Sequence, residues 1–139
     1  MAATPEGALK AVVESLLQPL VPGLIAYRKM AKPAVARPYV TIFSLNLSPD
    51  ELEDGGPGTC VDTCQVDLWE DWKNLETGAI TENYLLLPAL QRGLHGARPP
   101  LVAGRTGYRI FLVSSIPVPE PEEENLVHNA LTVEIWREF

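Results

Sequence analysis

CVDTCQVDLWE, residues 60–70, divides by parity into two sets. Cys60, Asp62, Cys64, Val66 and Leu68 fall on one side of an extended chain, and Val61, Thr63, Gln65, Asp67 and Trp69 on the other. Side chains along a β-strand alternate between two faces, whereas a helix needs its apolar residues three and four apart. The segment therefore reads as a strand with one more apolar side. Its two cysteines are four positions apart, which puts their Cα atoms about 13 Å from each other at about 3.3 Å per residue. A disulfide needs a separation of about 7 Å or less. Cys60 and Cys64 read as two small side chains on one face.

The neighbouring stretches extend the pattern. YVTIFSLNL at 39–47 is rich in aromatic and β-branched residues, with Ser44 and Asn46 on one face and Pro38 at the entry, where a strand tolerates proline. It reads as the partner strand of 60–70, and SPDELEDGGPG at 48–58 as the tip of a long hairpin between them. Upstream, Thr4-Pro5-Glu6 combines a capping hydroxyl, a first-turn proline and an acid. Ala8, Leu9, Val12, Val13, Leu16, Leu17 and Leu20 follow at helical spacing, so an amphipathic helix is predicted to end near 19–23. Residues 24–30 read as a short strand, and 32–38 as a loop.

Downstream, residues 71–93 carry Leu75, Ala79, Leu86 and Leu90, with Leu94 just beyond, at helical spacing. Gly78 and Pro88 predict a kink or a late start in this second helix. A Pro-rich turn at 96–104, a strand at 108–116 (YRIFLVSSI), an acidic loop at 117–125 (PVPEPEEEN) and a last strand at 126–136 complete the chain. The expectation is one α+β domain over 1–139. It has a mainly antiparallel or mixed sheet of about four strands, with two amphipathic helices packed on one face.

Composition bounds the function. With 46% hydrophobic residues in 139, the chain can bury a core. A net charge of -7 argues against a sequence-independent DNA binder and against a basic membrane-surface protein, both of which rely on Lys and Arg. MAATPEGALK lacks the charged and apolar regions of a signal peptide, and apolar runs such as 11–13 and 84–87 are too short to span a bilayer. A soluble protein kept in a reducing cytoplasm is expected.

Asp50, Glu51, Glu53 and Asp54 invite a metal or catalytic reading. A calcium loop starting at Asp50 would need oxygen ligands at its third and twelfth positions, which are Leu52 and Val61. Four solvated acids on a glycine-flanked tip have nothing to split their pKa values for acid–base work. Ser114-Ser115 has no nearby histidine, and Gly104-Arg105-Thr106-Gly107 lacks the lysine and the length of a phosphate loop. His95 and His128 show no zinc spacing, and His128, within an alternating strand, reads as a structural or interface residue. Trp69, Trp72 and Trp136 read as core or protein-interface residues rather than a base-stacking platform. No catalytic residue, metal or cofactor is expected.

The order of the pieces resembles a known family. Arg37-Pro38-Tyr39-Val40-Thr41-Ile42, Cys64-Gln65-Val66-Asp67-Leu68-Trp69 and His128-Asn129-Ala130-Leu131-Thr132-Val133-Glu134-Ile135, behind an amphipathic helix, look like the tail terminator (tail completion, tail-to-head joining) proteins of long-tailed bacteriophages. The resemblance implies a non-enzymatic virion protein, made in the host cytoplasm, that forms a ring, usually a hexamer. Such a ring caps the tail tube, stops its polymerisation and docks the head-side connector, while double-stranded DNA passes through its bore without sequence-specific binding. On this reading Asp50, Glu51, Glu53, Asp54, Glu120, Glu122, Glu123 and Glu124 line the bore or face a partner. A connector or stopper subunit, or the contractile-tail equivalent, is the nearest alternative. A small α+β enzyme or a monomeric binding module are the alternatives from other classes.

Overall fold

The computed structural model describes residues 5–28, 37–46, 59–71, 86–98, 107–120 and 125–138. Helix α1 spans Pro5–Leu17, and β1 (Ala26–Arg28), β2 (Tyr39–Asn46) and β3 (Thr59–Asp71) follow it. Helix α2 (Leu86–Leu94), β4 (Gly107–Val118) and β5 (Leu126–Glu138) complete the order. The strands form one sheet in the order β1-β2-β3-β5-β4. Among the described strands, only the β1–β2 pair is parallel. The α+β class holds, with two refinements: the sheet has five strands, and the short 24–30 strand makes it mixed.

Parity in β3 separates the two faces. Asp62, Cys64, Val66, Leu68 and Glu70 are buried. Val40 and Ile42 of β2, Ile110 of β4, and Leu131, Val133 and Ile135 of β5 join the apolar members of that face in the core. The helices cover this face. Leu9, Val13 and Leu17 of α1 and Leu90 and Leu94 of α2 are fully buried in the same cluster. At about 25 cal/mol per Å² of apolar surface removed from water, this one-sided burial is the main force holding the helices down.

Local chemistry sets the ends of the elements. Pro5 opens α1, where its missing N–H costs nothing, and Glu6 sits in the positive first turn. Glu6 also accepts hydrogen bonds from Arg28 Nε at 3.1 Å and from the Ser44 hydroxyl, which ties α1 to β1 and β2. The helix closes with Val21 N donating to Leu17 O, and Gly23 at φ 80° turns the chain into β1. Pro88 stands in the first turn of α2 as described, where a helix tolerates proline. Asp71, where the sequence opens the second helix, is instead the last residue of β3, paired with Leu126 of β5, and residues 72–85 lie outside the described residues.

The outer strand β4 is partly covered by the chain itself. Gly96 N donates to Ile110 O at 2.7 Å, Ile110 N donates to Ala97 O at 2.9 Å, and Leu112 N donates to His95 Nδ1 at 3.1 Å. A register shift between Leu112 and Ser114 leaves Val113 as an extra residue, 55% exposed. Pro117 lies inside β4, not in the following loop as the sequence suggests. An edge strand accepts it because no ladder bond is needed on its outer side.

Candidate functional site

The face of the sheet opposite the helices carries a cluster of aromatic, histidine and carboxylate side chains. Register builds it: Tyr39 lies opposite Trp69, which lies opposite His128, while Thr41 lies opposite Asp67. The His128 ring stacks on Trp69 with centroids 3.7 Å apart and planes 12° from parallel. Tyr39 stacks on Trp69 at 6.2 Å, and Tyr27 of β1 meets Tyr39 edge-on at 6.2 Å. Trp69 Nε1 donates to Thr41 Oγ1 at 3.0 Å, which fixes the indole in place. An aromatic row thus crosses β1, β2, β3 and β5.

His128 is held at both nitrogens. Nε2 lies 2.7 Å from Asp67 Oδ1, and Nδ1 lies 2.9 Å from Glu120 Oε1. A carboxylate only accepts, so both contacts are hydrogen bonds only when the ring is imidazolium. Burial opposes a charge here, but the hydrogen bonds and negative charges of Asp67 and Glu120 outweigh it and raise the His128 pKa above its ordinary value. Gln65 Nε2 also donates to Asp67, at 2.9 and 3.1 Å to its two oxygens. Asp67 thus accepts from both Gln65 and His128.

Further along the same face, Phe111 meets Trp136 edge-on at 5.8 Å, and the Arg109 guanidinium lies 5.1 Å from the Phe111 centroid. Trp136 and Ile116 stay exposed. At the opposite end Arg37 Nε pairs with Asp71 Oδ1 at 2.8 Å. The arrangement offers aromatic and charged groups for contact, and among the described residues of this face no nucleophile is paired with a base. Among the described residues no group of three or more His, Cys, Asp or Glu side chains is placed to hold a metal.

Of the acids singled out in the sequence, Glu120 is placed, and it is the partner of His128. Asp50, Glu51, Glu53, Asp54, Glu122, Glu123 and Glu124 lie outside the described residues, as does Trp72. Trp69 belongs to the aromatic row and Trp136 is 40% exposed. Cys64 is a free, buried thiol whose pKa burial pushes up to about 11, although the Ser44 hydrogen bond works against this; it is inert at neutral pH. The Asp67–His128 contact was not legible in the sequence, because its members are 61 residues apart and meet only through the β3–β5 register.

No family model and no curated protein matches the chain. Among solved structures it is similar to a chain of the virion of a native gene transfer agent (GTA) particle, with a TM-score of 0.59 and 18% sequence identity. The match covers 96% of each chain, so what the two share is the fold, nearly end to end.

Proposed function

We propose that the chain is a structural protein of a virion, and that within the virion it is the tail terminator. It assembles as a ring on the end of the tail tube, stops further addition of tube protein, and presents its other side to the head-side connector. The observation that carries this reading is the fold shared over 96% of both chains with a component of a gene transfer agent virion. The sequence resemblance supports the finer role. The three stretches that carry it lie on β2, β3 and β5, the neighbouring strands at the centre of the sheet. The role needs no chemistry, only surfaces.

Charge suits the role. Six copies at -7 each give a ring about -42 in formal charge, and an acidic bore lets DNA slide without binding. The test is to add the purified chain to polymerising tube protein from the same particle and measure tube lengths by electron microscopy. Lengths that stop growing once the chain is added support the terminator. Tubes of unchanged length, with the chain bound instead to the isolated head-side connector, favour the connector or stopper reading.

A further inference from the structure

His128 joins two parts of the molecule through one ring. Asp67 lies in the middle of β3, whereas Glu120 lies two residues beyond the end of β4. The two carboxylates differ in their access to water: the side chain of Asp67 is 4% exposed and that of Glu120 is 32% exposed. Asp67 is also held by Gln65. We propose that His128 is a proton-operated latch. As imidazolium it ties the exit of β4, through Glu120, to β3, through Asp67, and when it loses the Nδ1 proton it releases Glu120 while keeping Asp67.

The order of release follows from desolvation. Loss of the Nε2 proton would set a lone pair against a carboxylate with almost no water, and a buried charge stripped of its partner is costly. Loss of the Nδ1 proton sets a lone pair against Glu120, which can swing into solvent. The proton passes to water, and the local charge of the three groups goes from -1 to -2. Trp69, stacked at 3.7 Å, favours the cationic ring and keeps its plane fixed.

Among the described residues, the charged groups around the ring are few. On β3 they are Asp67 and, beyond Trp69, Asp71, which Arg37 pairs. Beyond β4 there is Glu120, and β2 contributes uncharged Thr41 and Tyr39. The latch is a property of the sheet and does not depend on the terminator reading.

The test is nitrogen NMR of histidine-labelled protein across pH, with His95→Ala assigning the two signals. The latch requires His128 to titrate above the ordinary histidine value of about 6.5. It also requires a neutral form protonated at Nε2 and bare at Nδ1, and a lower midpoint in Glu120→Gln. A neutral form protonated at Nδ1, a midpoint at or below the ordinary value, or a midpoint unmoved by Glu120→Gln overturns it. If Glu120→Gln fails to fold, the tautomer and midpoint of the otherwise unaltered protein decide.

Discussion

Glu70 and His128 bind protons more tightly in the folded chain than in the unfolded one, for opposite reasons. Glu70 is 3% exposed, and its Oε2 has no hydrogen-bond partner among the described residues. Burial alone raises its pKa from 4.5 to about 7. His128 is raised because its two acids outweigh its burial. For His128 a stabilisation is full below the unfolded pKa and is lost as pH rises through the folded pKa; for Glu70 a burial penalty is absent below the unfolded pKa and reaches its full size as pH rises through the folded pKa. Urea unfolding should therefore show a domain more stable near pH 5 than near pH 8. Glu70→Gln should remove most of the Glu70 share, gaining about 3 kcal/mol relative to the parent between pH 4 and pH 8. A parent whose stability rises over that range contradicts this assignment. Neither group was legible as a titrating site. Strand parity gives the face on which each residue lies, but the cover over Glu70 and the reach of Glu120 to His128 come only from packing.

At the scale of elements, two glycines in one turn of chain act differently. Gly93 lies where α2 crosses α1: a Cβ there would come within 2.6 Å of Leu16 Cδ1, and closer still to Cδ2. Gly96 has open space around it but a φ of 81°, and this lets the chain leave α2 and fold back on β4. Gly93→Ala should cost about 1–2 kcal/mol through overpacking, despite the better helix propensity of alanine. Gly96→Ala should cost about 1 kcal/mol through backbone strain. Chemical denaturation of both variants checks the pair, and a neutral Gly93→Ala would show that Leu16 moves aside. The turn also predicts slow amide exchange at Ile110 and Leu112, although β4 is the last strand of the sheet. Fast exchange at both would mean that the 95–97 cover is absent. Alternation placed β2, β3, β4 and β5 to within a few residues because each buries one face. The register shift in β4 has no glycine to announce it, and β1, with three residues, is too short for a pattern to settle.

For the whole molecule, the sheet presents an aromatic and charged face opposite its helices, and its β4 edge is covered by its own chain at Ile110 and Leu112. Ring closure in the proposed assembly therefore has to use side-chain surfaces over that stretch of β4, not strand addition. A heterologous contact of this kind needs two different surfaces on one subunit. Exposed apolar side chains occur at both ends of the strand order, with Ile25 next to β1 and Val113 and Ile116 on β4. The α+β class was legible from the sequence because periodicity reports which face is buried. Surfaces for the proposed assembly are not legible there, because an exposed apolar residue has no period. The proposed assembly is a ring at the end of a tail tube. Its most direct test is cryo-electron microscopy of tail-tube ends assembled with the purified chain. A terminator should appear as a closed ring of this chain on the last layer of tube protein, with the sequence register traceable through β3 and β5. Tube ends bare of the chain, or the chain found only along the tube wall, would contradict it.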